Sequence, residues 1–148
     1  MNPLKEFREY VKKGIIKKGS IDKSRAEFLI NESQNSLEGL KERIEKIGIN
    51  DKNANSIIKD CYDIIMELIR AKLLLTGYNS SGQYSHEAEV SYFKKLGFPI
   101  NEVLFLNELR YFRNGIIYYG KRLNAEYANK IFGFLNRIYP KIYKLIEI

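Results

Sequence analysis

Residues 50–76, NDKNANSIIKDCYDIIMELIRAKLLLT, decide the fold class. Ile57, Cys61, Ile64, Ile65, Leu68 and Leu75 recur at the helical period and not at the strand period. Apolar side chains occupy so much of this helix's circumference that other elements must surround it. Asn50 and Asp51 supply capping chemistry at its start, and the segment ends at Thr76. We therefore read it as the central helix of an all-α, up-and-down antiparallel bundle of four to six helices.

The pattern continues outward on both sides. Upstream, a helix from about Asp22 carries Ile30, Leu37, Leu40, Ile44 and Ile47 on one stripe and stops at Gly48. Before it, Asn2 as cap and Pro3 at the first helical position predict a basic helix with Leu4, Phe7, Val11 and Ile15 on its apolar side, ending near Gly19. Downstream, the stretch 77–85, GYNSSGQYS, reads as one long loop. A short helix from His86 to Leu96 ends at Gly97. Pro99 and Asn101 then introduce a fifth helix carrying Val103, Leu106, Leu109, Arg113 and Ile117, ending at Gly120. Asn124 caps a last helix with the stripe Tyr127, Ile131, Phe134, Ile138, Ile142 and Leu145, in which Pro140 predicts a kink or short break near Tyr139.

Length and composition set the outer limits. A chain of 148 residues fits one domain, 1–148, and 45% hydrophobic with 29% charged residues is ordinary globular composition. The apolar runs are interrupted by Glu67, Arg70 and Lys72 well short of the roughly 18 residues a membrane span needs. Lys5, Glu6, Arg8 and Glu9 stand where a signal peptide would be apolar, so a cytoplasmic protein without membrane contact is expected. One cysteine and one histidine exclude an internal disulfide and a Cys/His zinc site within one chain; neither metal nor cofactor is expected. Cys61, set among isoleucines, reads as a core residue. The excess of 25 Lys+Arg over 18 Asp+Glu, a formal charge of +7, favours a polyanionic partner such as RNA or a nucleotide phosphate.

The segment with chemistry in it is 109–120, LRYFRNGIIYYG. Extending the stripe Leu106, Leu109 by four residues aims Arg113 at the apolar interior. A guanidinium there must pair with a carboxylate, reach the domain edge or receive an anion. The bland outcome is a pair with Asp60, Asp63 or Glu67 on the central helix. Asn114 and Gly115 are poor helix formers, so something other than propensity shapes this turn.

Arg113-Asn114-Gly115-Ile116-Ile117-Tyr118, with Leu109 and Arg110 before it and Tyr119-Gly120 after it, resembles the signature of HEPN domains, in which an arginine and usually an asparagine are followed by a histidine. The resemblance takes in Tyr62-Asp63 and Tyr84-Ser85-His86-Glu87 and covers roughly 22–145. It implies a helical bundle that pairs with a second copy along the motif helix, so that two Arg-Asn sites line one cleft. In active members the arginine orients an RNA phosphate and the histidine takes part in metal-independent transfer from the ribose 2′-OH. Arg113 and Asn114 carry over, with Arg110, Tyr118 and Tyr119 beside them. The histidine does not, because Tyr118 holds its place and a phenol with pKa near 10 cannot exchange protons near neutrality as imidazole does.

His86, the sole histidine, reads as an exposed residue at a helix start; a catalytic role would need the preceding loop to swing it in. A secondary basic face on the last helix combines Lys130, Arg137, Lys141 and Lys144, and the first helix adds Lys12, Lys13, Lys17 and Lys18 as an arm or a solvated end. The reading is a homodimeric, catalytically weak or inactive HEPN-type protein that binds RNA or a nucleotide through Arg113 and Asn114. The resemblance also implies a minimal nucleotidyltransferase as protein partner. The alternatives are an active metal-independent endoribonuclease of toxin type and a purely structural helical adaptor.

Overall fold

The computed structural model describes residues 3–146. Its elements in chain order are α1 (Phe7–Lys12), β1 (Ile16–Lys18), α2 (Lys23–Ile47), α3 (Ala54–Leu75), β2 (Tyr78–Ser80), α4 (Ser85–Lys95), α5 (Ile100–Tyr119) and α6 (Ala125–Ile146). The fold is an all-α bundle with one two-stranded antiparallel ribbon, in which Ile16 pairs with Ser80 and Lys18 with Tyr78.

The apolar circumference of α3 has the consequence expected of it. Ile58, Cys61, Tyr62, Ile65, Leu68, Ile69 and Leu73 are fully buried, and α2, α4, α5 and α6 all pack on this helix. Phe93, Leu106, Leu109, Phe134 and Ile138 close the core from the other helices. Four stripe positions fall outside it: Val11, Ile47, Ile117 and Leu145 are exposed.

The punctuation of α2 is as read: Asp22 accepts from the Arg25 N–H at 3.1 Å, and Gly48 closes the helix. Asn124 likewise accepts from the Tyr127 N–H at 2.9 Å. The capping of α3 is different. Asn50 folds onto the N–H groups of Lys52 and Asn53, while Asp51 accepts from the Ala125 N–H at 2.8 Å and so caps α6, a helix 74 residues away. Pro140 produces no break, and α6 runs through it to Ile146. An interior proline costs about 3 kcal/mol, which the complete burial of Ile138 and Ile142 on either side offsets.

The N-terminal segment departs most from expectation. Asn2 lies outside the described residues, Pro3 is not helical, and α1 begins only at Phe7. Gly14 takes a left-handed φ of 75° and turns the chain, so that Ile16–Lys18 leaves the helix for a ladder with β2. The 77–85 segment is thus a strand and a turn, not one irregular loop. At the ribbon's end Gly19 N–H donates to Gly77 O at 2.7 Å, and a Cβ on Gly77 would sit 2.8 Å from Gly19 O; only glycine permits that approach.

Candidate functional site

Tyr62 is the floor on which three helices meet. Its ring is completely buried in α3. From α5 the Arg113 guanidinium lies over it, 5.5 Å from the ring centre. From the first turn of α4 the His86 imidazole stacks on it at 5.9 Å, tilted by 16°, and His86 Nδ1 shares a hydrogen bond of 3.2 Å with Tyr62 Oη. Asp63 follows on α3 and accepts from Arg113 Nη2 at 3.4 Å. Arg113 is 18% exposed and Asp63 49%, so the pair lies at the rim. Arg113 Nε is buried and has no hydrogen-bond partner among the described residues.

Burial governs the protonation states here. It holds the His86 pKa below the usual value; Glu89 opposes this, while Arg70 and Arg113 add to it. The imidazole is therefore neutral at physiological pH and able to accept a proton. Burial raises the Asp63 pKa, and the nearby Arg113 only moderates the rise, which fits a pair at 3.4 Å that is weakly coupled. Burial also pushes the Tyr62 phenol well above its ordinary range, so it stays protonated.

The surroundings are pinned by two other acids on α4. Glu89, 1% exposed, takes both Nε and Nη2 of Arg70 at 2.6 and 2.8 Å and the Ser80 hydroxyl at 2.9 Å, tying α4 to α3 and to β2. Glu87 accepts from Tyr10 Oη at 2.8 Å and faces Arg110 Nη2 at 3.7 Å. Burial and this Glu87 contact push the Tyr10 phenol up to about 12. Arg110 also donates through Nε to Asn107 at 3.0 Å, so it is engaged on two sides.

Of the residues singled out from the sequence, Arg113 is in this cluster, and of the three acids offered as its partners Asp63 is the one it meets. Asp60 pairs instead with Arg43, and burial raises the Glu67 pKa to about 6, helped by Glu32 and Asp63. Asn114 is half-buried beside Arg113. Gly115 has a local explanation: its carbonyl accepts the Lys121 N–H at 3.1 Å as the chain reverses over left-handed Gly120, and a Cβ there would press 3.3 Å from Lys121 Cδ. Tyr118 and Tyr119 are 69% and 86% exposed and lie away from the Tyr62 floor. Lys130, Arg137, Lys141 and Lys144 are all on the surface of α6, where Lys130 and Arg137 also cover the Phe105 and Phe134 rings.

Sequence reasoning missed the place of His86. Its signals were its being the single histidine and the resemblance that takes in both Tyr62-Asp63 and Tyr84-Ser85-His86-Glu87. Among the described residues, no group of three His, Cys, Asp or Glu could hold a metal ion, and no helix is long and apolar enough to cross a membrane. No protein-family model matches the sequence, and no significant match was found among curated proteins or solved structures.

Proposed function

We propose that the protein binds the phosphates of single-stranded RNA, or of a nucleotide, at Arg113, as a homodimer of HEPN type with little or no catalysis of its own. One observation carries this reading. The Arg113 guanidinium is oriented by the Tyr62 ring yet under-satisfied, with Nε unpartnered and a single 3.4 Å contact to a half-exposed carboxylate. A phosphate oxygen approaching that rim would form the shorter, charge-assisted bonds that Asp63 does not. The net charge of +7 brings polyanions to it.

The dimer rests on α5. Ile100, Leu104, Tyr111 and Tyr118 are exposed along it at intervals of four, seven and seven residues, which sets four large apolar side chains on one helix face. Pairing two such faces would bury them isologously and bring the two motif segments together. A nucleotidyltransferase partner follows from the resemblance of residues 109–120 alone.

A second reading, metal-independent ribonuclease activity, is favoured by His86. A neutral imidazole and Arg113 share the Tyr62 ring, so a base for the ribose 2′-OH and a cation for the phosphate are close neighbours. Transfer of that proton to His86 would let the 2′-oxygen attack phosphorus. The 5′-oxygen would leave with a proton from solvent, giving a 2′,3′-cyclic phosphate.

Fluorescence anisotropy with a labelled single-stranded RNA tests the first reading: Arg113→Ala should weaken binding by at least about tenfold, the equivalent of one lost charge-assisted contact. Lys144→Ala should weaken it less. Unchanged affinity with a lowered melting temperature would make Arg113 a structural residue and the protein an adaptor. EDTA-resistant cleavage by the wild type, lost in His86→Gln, would establish the second reading. Where the wild type is inactive, Tyr118→His should introduce cleavage, since a placed imidazole contributes about a hundred- to ten-thousandfold. Because Tyr118 faces outward, that gain would require the dimer.

A further inference from the structure

The C-terminal half of α5, the reversal that follows it, the α2–α3 connection and the start of α6 border an open cleft of about 690 Å³, within the range of small-molecule sites. Its floor is apolar: Leu123 and the Phe112 and Tyr127 rings, which meet edge to face at 5.2 Å and 72°. Its rim carries charges of both signs. Arg122 is held in place by donating Nη2 to the carbonyls of Asp51 at 2.9 Å and Lys52 at 3.4 Å. Lys130 borders the opening, and Lys121 lies 4.4 Å over the Phe112 ring. Among the described residues none of these three cations is in a salt bridge.

Two carboxylates also face the cleft. Asp51 is occupied by the Ala125 N–H, and Glu126 stands in the first turn of α6, where the helix dipole favours it. What asks for a ligand is the floor itself: half-buried rings left open beneath Arg122 and Lys130, neither of which has a carboxylate partner among the described residues. The Tyr127 hydroxyl is buried out of reach of the cleft, and burial and the Glu108 carboxylate raise its pKa.

We infer that this cleft is a mononucleotide site separate from Arg113, taking an aromatic base against Phe112, Leu123 and Tyr127 and its phosphate between Arg122 and Lys130. An aromatic ring carrying an anion matches both parts: ring against ring on the floor and a charge-assisted contact at the rim. A purely apolar ligand would leave the cations unused, and inorganic phosphate would leave the floor unfilled.

Isothermal titration of the full chain with AMP, adenosine and inorganic phosphate, each alone, tests it. AMP should bind with a dissociation constant on the order of 10–100 μM, and each fragment at least about tenfold more weakly. Lys130→Glu, an exposed change, should weaken AMP at least about tenfold with the melting temperature unchanged. Tyr127→Phe, which keeps the ring and removes a buried, unpartnered hydroxyl, should bind AMP like the wild type without loss of stability. Arg113→Ala should leave AMP binding intact. The inference falls if AMP gives no binding at millimolar concentration, if phosphate alone binds as well as AMP, if Lys130→Glu binds AMP like the wild type, or if Arg113→Ala abolishes it.

Discussion

Two arginine–carboxylate pairs join the same few helices, and they are built differently. Arg70 and Glu89 meet through two bonds of 2.6 and 2.8 Å, with Glu89 almost wholly buried and its remaining capacity taken by Ser80. Arg113 and Asp63 meet once, at 3.4 Å, with the carboxylate half in water and one guanidinium nitrogen unpartnered. The first pair is bidentate, and its buried carboxylate is fully engaged within the fold. The second holds a cation in a fixed orientation without satisfying it, as a site for an exogenous anion requires. Chemical type alone, arginine with acid, does not separate them; saturation does.

The largest expected effect comes from breaking the complete pair. Glu89→Ala strands the Arg70 guanidinium in a largely buried position and frees β2 from α4, so unfolding in urea should show a loss of about 3 kcal/mol or more. Asp63→Ala should cost far less, about 1 kcal/mol at most, because the rim pair is loose and solvated. Equal losses from the two substitutions would erase the contrast on which the assignment of roles rests.

A smaller effect sharpens the same contrast from the binding side. If an RNA phosphate competes with Asp63 for Arg113, then Asp63→Asn removes the competitor while keeping the side chain's shape. Affinity for single-stranded RNA should rise a few-fold at low salt, the difference shrinking as salt screens the charges. A fall in affinity would mean that Asp63 positions Arg113 and does not compete with the ligand.

How far these features were legible in the sequence depends on whether their causes are local. The α3 pattern, the Gly48 and Gly120 stops and the inward aim of Arg113 follow from spacing within one helix, and each was readable there. Asp51 caps α6 and not its own helix, a choice fixed by a contact across the fold. Ile15 continues the spacing of Phe7 and Val11, yet the Gly14 turn, followed by the ladder from Ile16 to Ser80, takes it out of the helix. His86 belongs to the same class. Its contact with Tyr62 exists because Glu87 and Glu89 on the same short helix dock α4 against α1, α3 and α5. The two acids stand beside His86 in the sequence, but their partners Tyr10, Arg70 and Arg110 are distant in it and are fixed by the fold.

The smallest expected effect concerns His86 and pH. Its folded-state pKa is depressed from 6.5, with burial as the leading cause. The unfolded chain therefore binds a proton that the folded protein resists. The corresponding stability is fully present above pH 6.5 and is lost as pH falls through the lower folded value. Glu67 works in the opposite sense over an overlapping window: its pKa is raised from 4.5 to about 6, so folding takes up a proton there and stability declines as pH rises between those values. The wild-type curve alone would mix the two. Subtracting the urea unfolding curves of His86→Gln from those of the wild type isolates the histidine. The wild-type advantage should be larger at pH 7.5 than at pH 5, by about a kcal/mol or less. A difference that does not vary with pH would mean that the imidazole titrates as it does in the unfolded chain, and that it is not the neutral base the Tyr62 cluster needs.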